Sequence, residues 1–220
     1  MFITGTDTEI GKTWCTLAII QYFKNQNLRV AGMKPIASGC YPSIDGLRNN
    51  DAERILALTE LDLSYDIVNP YSFEPPIAPH IAAQQVGQII ELDIIISNYK
   101  KMQTQSDMVI VEGFGGWKVP INANLSLKDM VLAMKTPVVL VVGIRLGCIN
   151  HALLTAEAIV QDGCYLIGWI ANQIDASFVG QQAIDTISEY LSVPLLAQMP
   201  YLDTLNIPIL ANKIAEFNKI

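Results

Sequence analysis

Basic residues are scarce in this chain, charged residues of all kinds make up only 16% of it, and histidine occurs twice. Fourteen Lys and Arg against 21 Asp and Glu leave a formal net charge of −7, so the surface lacks the basic footprint that a nucleic-acid backbone requires. The four cysteines (Cys15, Cys40, Cys148, Cys164) form no C-x-x-C pair and have no histidines at metal spacing. They are expected to be reduced thiols packed as small hydrophobes, not zinc ligands or disulfides. The opening MFITGTDTE has neither a basic n-region nor an apolar h-region, which predicts no signal peptide. No unbroken apolar run is longer than the five residues of Val138–Val142, far short of the ~20 residues of a membrane span. A cytoplasmic protein is the expectation. No repeat, low-complexity tract or Pro/Gly/Ser linker divides the 220 residues, which fit one domain spanning 1–220.

What is present is an alternation of short β-branched runs with longer segments of helical period. Strands are expected at Met1–Thr4, Arg29–Met33, Met108–Val111, Val138–Val142, Leu166–Ala171 and Leu195–Gln198. Helices are expected over 14–25, 51–60, 150–161, 179–191 and 205–218, with Asn49 or Asn50 capping the second. Strands that are apolar throughout, and flanked by helices, suit a parallel sheet covered on both faces. The reading is an α/β fold, a doubly wound, mainly parallel sheet. Residues 61–87, with prolines at 70, 75, 76 and 79, are expected to be a long loop carrying a short helix from about Pro79.

The strongest motif is Gly5-Thr6-Asp7-Thr8-Glu9-Ile10-Gly11-Lys12-Thr13, between the first strand and the first helix. Its glycines let the backbone turn so that several N–H groups face one point, where the helix N-terminus adds its positive dipole end. Lys12 is placed to neutralise the β- and γ-phosphates of a nucleotide and the Thr13 hydroxyl to coordinate Mg²⁺. The spacing departs from the usual P-loop: five residues separate the glycines, and Thr6 stands where the first glycine would fall.

A Mg²⁺ ion needs more oxygen ligands than one threonine, and open α/β sheets place such groups at strand C-termini. Glu112 ends the run Met108-Val109-Ile110-Val111, directly before Gly113-Phe114-Gly115-Gly116. Asp51 opens a helix, where on composition alone it reads as a dipole-favoured charge. Lys34, in Lys34-Pro35-Ile36-Ala37-Ser38-Gly39, follows the second strand and could stabilise charge that develops as a phosphoryl group moves.

Together the segments GTDTEIGKT (5–13), GMKPIASG (32–39), GLRNNDA (46–52), VNPYSFEPPIAPHIAA (68–83), VEGFGGW (111–117), VVGIRLGCINHALLTAE (141–157), GWIAN (168–172) and MPYL (199–202) resemble the dethiobiotin synthetase family, in family order over nearly the whole chain. The resemblance implies a P-loop NTPase-like fold and an ATP- and Mg²⁺-dependent ligase of biotin biosynthesis. Its substrates would be 7,8-diaminopelargonic acid, CO₂ (or bicarbonate) and ATP, and its reaction the closure of a ureido ring through a carbamate and a phosphorylated carbamate. Matched position by position, Lys12 and Lys34 would stabilise charge, Thr13, Asp51 and Glu112 would hold Mg²⁺, and Thr8 and Ser38 would touch the carbamate or amino end of the substrate. Glu9, Ile10, Gly11, Trp14, Gly113, Phe114 and Gly115 would join the nucleotide site, with Asn172, Gln173, Pro200, Tyr201 and Leu202 around the base. Gly147, Cys148 and Asn150, at a helix start that can receive a carboxylate, would come from the partner subunit of a homodimer.

Some positions depart from the family pattern. Phe114 replaces a small residue, Arg145 replaces lysine, and Asn172-Gln173-Ile174-Asp175 imitates the N-K-x-D spacing with which GTPases read guanine, although ATP remains the expected nucleotide. The isolated His80 and His151 are read as packing or capping residues, and the three tryptophans as core or pocket wall. Two other functions stay open: a related P-loop amide-forming ligase, and a partition-type switch ATPase. The latter carries K-G-G-x-G-K-[ST], where this chain has Thr8 and Glu9 within that stretch.

Overall fold

The apolar runs become neighbouring strands of one sheet in the computed structural model of the chain, which describes residues 1–214 and 217. The first part of the chain forms β1 (Phe2–Gly5), α1 (Lys12–Lys24), β2 (Val30–Met33), β3 (Ile36–Ser38), β4 (Tyr41–Ser43), β5 (Gly46–Arg48) and α2 (Asn50–Leu58). Next come α3 (Tyr65–Val68), β6 (Tyr71–Phe73), α4 (Pro79–Gln85), α5 (Leu92–Gln105), β7 (Met108–Glu112) and α6 (Leu127–Met134). The last part supplies β8 (Val138–Ile144), α7 (Cys148–Gln161), β9 (Leu166–Gln173), α8 (Gln181–Tyr190), β10 (Leu195–Met199) and α9 (Ile207–Ala211).

Six strands form the main sheet in the order β10-β9-β8-β1-β7-β2, and every neighbouring pair is parallel. The central strands β1 and β8 are buried along their whole length, which is why they read as unbroken apolar runs. Helices α1 and α5 both pack on β2 and β7; α1 shares its layer with α2 and α9, and α5 shares its own with α6. The strand order reverses beside β1, so the C-terminal ends of β1, β2, β7, β8 and β9 converge on one crevice, the usual ligand position in open α/β sheets. Doubly wound topology is therefore the fold, as expected.

Several expectations need correction. Residues 61–87 are not one loop with a single helix: α3 and β6 also form there, and β6 pairs with β3 in a small parallel sheet. Prolines 70, 75 and 76 confine these elements to three or four residues, too short for periodicity to register. Two helices, α5 and α6, had not been expected. The Ile94-Ile95-Ile96 run in α5 is β-branched and masks its helical period, while α6 carries a readable capping signal, with Asp129 Oδ2 accepting from Ser126 N at 2.7 Å. Helix α9 ends at Ala211, whereas a helix over 205–218 was expected; positions 215, 216 and 218 of that span lie outside the described residues. All four cysteines are free and buried.

Candidate active site

The phosphate loop leaves β1 at Gly5 and is tied to β8, because Thr6 N donates to Val141 O at 3.1 Å. Glu9 takes a left-handed φ of 58°, unusual for a residue with a side chain, and Gly11 follows at 81°. Gly11 is required twice over: its φ is left-handed, and a Cβ there would sit 2.2 Å from Asn172 Nδ2. Helix α1 begins directly after it, at Lys12. Lys12 Nζ donates to Asp7 O at 2.6 Å across the loop. Burial, and then the neighbouring Lys34 ammonium, lower the Lys12 pKa to about 8.

Opposite the loop, Lys34 leaves the end of β2 and reaches Glu112, the last residue of β7. The ammonium donates to Glu112 Oε1 at 2.5 Å and to Gly113 O at 3.2 Å, and it lies 3.8 Å from Asp51 Oδ2. Thr13 Oγ1 donates to the same Glu112 Oε1 at 2.9 Å. Glu112 is 1% exposed, and its other oxygen, Oε2, is buried without a hydrogen-bond partner. Burial pushes the Glu112 carboxyl up from its ordinary pKa, while the Lys34 charge pulls it back. A buried carboxylate oxygen without a partner is a costly feature that a bound cation would relieve. The oxygens of Glu112, Thr13 and Asp51 therefore fit a hard divalent ion. Asp51 is free for that role because Asn49 caps α2, its Oδ1 accepting from the backbone N–H groups of Asp51 and Ala52.

These groups open on one cavity of about 870 Å³. Thr8, Glu9, Gly11, Lys12, Thr13, Trp14, Lys34, Ser38, Asp51, Glu112, Phe114, Gly115, Asn172, Gln173, Pro200, Tyr201 and Leu202 all line it. Ser38 Oγ is buried there without a hydrogen-bond partner, a hydroxyl ready to meet a polar ligand. No histidine or cysteine lines the cavity.

A sequence profile described as an AAA domain matches residues 1–208. The ATP-dependent dethiobiotin synthetase of Photobacterium profundum is 42% identical over 205 residues, 93% of each chain. That of Pseudomonas aeruginosa is 45% identical over 92% of this chain and 90% of its own. The chain belongs to the dethiobiotin synthetase family. Its fold is shared more widely: the MinD cell division protein of Aquifex aeolicus superposes with a TM-score of 0.57 at 14% identity, covering 96% of this chain and 85% of that one.

Not every position carried over from the dethiobiotin synthetases reaches the cavity. Ile10 and Gly113 lie beside it but do not line it; Ile10 is buried, with its carbonyl accepting from Asn172 Nδ2 at 2.8 Å. Gly147, Cys148 and Asn150 are also absent from the lining. They form the start of α7, where Gly147 has a φ of 90° and Cys148 is buried. Neither histidine belongs to the cavity.

The structure adds residues that sequence reasoning had not picked out. Ile36, Ala37, Pro76, Ile77, Ala78, Pro79 and Val119 add to the apolar wall; all but Val119 lie in segments matched to the family without single roles. Arg145 is not a stray surface charge, since its Nη2 donates to Asp7 Oδ2 at 2.7 Å. With Thr8 N on Asp7 Oδ1 at 2.8 Å, both oxygens of that loop carboxylate are held. Trp117 and Trp169 are core residues, whereas Trp14 is half-buried on the cavity wall.

Proposed function

We propose that this cavity binds MgATP together with 7,8-diaminopelargonic acid and CO₂ and closes the ureido ring of dethiobiotin. Membership of its family makes the chain an ATP-dependent ligase of biotin biosynthesis. The observation that carries the chemistry is the pair of buried ammonium groups, Lys12 on the phosphate loop and Lys34 against Glu112, that line one cavity whose lining has no histidine or cysteine. Such a site stabilises charge on a transferring phosphoryl group but offers no protein nucleophile with an adjacent base. The substrate must bring its own.

An amino group of the diamine adds to CO₂ and loses a proton, giving a carbamate. A carbamate oxygen then attacks the γ-phosphorus of ATP, the bond to the β-phosphate oxygen breaks, and ADP leaves. The second amine attacks the carbonyl carbon of the mixed anhydride and loses a proton, expelling inorganic phosphate as the ring closes. The loop amides and Lys12 hold the triphosphate, and Lys34 faces the charge that builds up on the migrating group. Thr13, Asp51 and Glu112 would hold Mg²⁺, which would supply further positive charge to the phosphates. Thr8 and Ser38 hold the carbamate end; the unpartnered Ser38 Oγ supports this role. Asn172, Gln173, Pro200, Tyr201 and Leu202 form the base end of the cavity.

The start of α7 does not line the cavity, and in this reading Gly147, Cys148 and Asn150 act on the site of a second copy, receiving the substrate carboxylate. The exposed Leu146 and Leu154 beside and within α7 provide apolar surface for that contact. Incubation with diaminopelargonate, bicarbonate and MgATP, followed by mass spectrometry, tests the proposal: a cyclic urea product and diamine-dependent phosphate release are expected. Phosphate release that ignores the diamine would instead indicate a switch ATPase.

A further inference from the structure

The charged residues of the site hang from a buried amide outside it. Asn69, between α3 and β6, is 2% exposed and does not line the cavity. Its Nδ2 donates to Lys34 O at 2.5 Å and to Tyr71 O at 3.4 Å. Its Oδ1 accepts from Tyr65 Oη at 2.9 Å and Ser72 Oγ at 2.6 Å. Two donors and two lone pairs are thus used in full. The N–H of Lys34 also donates to the neighbouring Val68 O at 3.0 Å, so both backbone polar groups of Lys34 are gripped by residues 68–69.

The second arm runs through Tyr65. Its hydroxyl donates to Asn69 and accepts from Asn49 N at 2.8 Å. Asn49 caps α2 at the turn bearing Asp51, and its Nδ2 reaches Ser38 O at 3.4 Å. The Arg48 guanidinium lies 4.2 Å from the centre of the Tyr65 ring and fixes the approach to that turn. Lys34 and Ser38 belong to the segment after β2, and Asp51 to the first turn of α2. Their relative placement depends on two side chains, those of Tyr65 and Asn69, that never touch the cavity.

We propose that Tyr65 and Asn69 are positioning residues that set the Lys34 ammonium against the Asp51 and Glu112 carboxylates, and so tune the site for a divalent ion and for the phosphoryl group. The proposal rests on the ligase reading of the cavity. Burial makes such a network strong when complete and costly when one member is lost, and Lys34 has no second anchor for its carbonyl among the hydrogen bonds of the described residues.

The test compares Tyr65→Phe with Thr59→Val. Thr59 is buried at the far end of α2, where its hydroxyl accepts from Gly32 N at 3.0 Å and donates to Ile55 O at 2.9 Å. Its loss removes hydrogen bonds of similar burial without touching the hub. For Tyr65→Phe we expect kcat to fall about tenfold, the KM for ATP to stay within about twofold, and the Mg²⁺ concentration for half-maximal rate to rise. Thr59→Val should lower Tm by a similar amount and leave kcat within about twofold. Ser72→Ala, which takes one donor from Asn69, should show the Tyr65→Phe pattern more weakly.

Calorimetry of a non-hydrolysable ATP analogue, titrated with and without Mg²⁺, gives a readout that needs no turnover. Tyr65→Phe should lose most of the magnesium-linked gain in affinity, and Thr59→Val should keep it. Equal losses in the two variants would reduce Tyr65 and Asn69 to structural residues. Wild-type protein that binds MgATP but forms no cyclic urea would overturn the ligase reading alone, because the magnesium comparison would still judge the hub.

Discussion

Asn172, at the end of β9, donates from Nδ2 to Ile10 O at 2.8 Å, so the end of β9 and the phosphate loop are hydrogen-bonded to one another. The donation must come from the amide nitrogen, because the partner is a carbonyl. What the side chain still offers to a ligand is chiefly its Oδ1, an acceptor.

An acceptor suits the 6-amino group of adenine and opposes the 6-oxo group of guanine. The resemblance to a guanine-reading motif is also weakened by its other members. Gln173 Nε2 is spent on Asp175 O and Phe178 O, and Asp175 Oδ1 accepts from both Ser177 N and Ser177 Oγ. ATP should therefore outpace GTP by about tenfold at sub-saturating concentrations. Equal or faster initial rates with GTP would refute this.

Lys12→Ala and Lys34→Ala should each lower kcat by ~10²-fold or more, since losing one preorganised charge donor costs ~3 kcal/mol in such sites. Both proteins need a folding check by circular dichroism before the rates are compared. Full activity in Lys34→Ala would remove that ammonium from the mechanism.

Glu112→Gln replaces a buried carboxylate by a neutral amide of the same shape. The half-saturating Mg²⁺ concentration should rise, and a magnesium titration of the rate measures it. An unchanged titration would leave Glu112 only its part in holding Lys34 and Thr13. Some loss of Tm is expected as well, because the buried Lys34 ammonium would then lose the charge of its nearest carboxylate.

The pKa of Lys12, lowered to about 8 by burial and then by Lys34, makes nucleotide binding sensitive to pH. Above that value the free protein holds Lys12 neutral, while a triphosphate favours the ammonium. Binding should weaken as pH rises from 7 to 9 and should take up about half a proton near pH 8. Binding enthalpies in buffers of different ionisation enthalpy would reveal the uptake; no buffer dependence at pH 8 would contradict it. Lys12→Met should abolish the effect.

The legible part of the structure was the part whose signal is local. Val138–Val142 read as a strand because β8 is buried on both sides, although it runs on to Ile144 past Gly143. That glycine ends the apolar run, yet the space it leaves is filled by Ile10, whose Cγ2 would lie 2.7 Å from a Cβ there. Glu112 was legible as an acid after an apolar strand, and Asp51 only through its family, since a carboxylate opening a helix is ordinary. Tyr65, Asn69 and Arg145 gave no local sign. Each acts across a sequence gap, from 16 residues between Tyr65 and Asn49 to 138 between Arg145 and Asp7.

Sequence alone determined the alternation of strands and helices, the loop from Gly5 to Thr13, and the family. Those depend on neighbouring residues and on how many apolar side chains a buried segment must carry. Tertiary structure decided that Lys12, Lys34 and Glu112 would meet, that Asn172 would grip the phosphate loop, and that Asn69 would hold Lys34 in place. Hydrogen bonds between distant segments depend on strand order, and no periodicity along the chain encodes that.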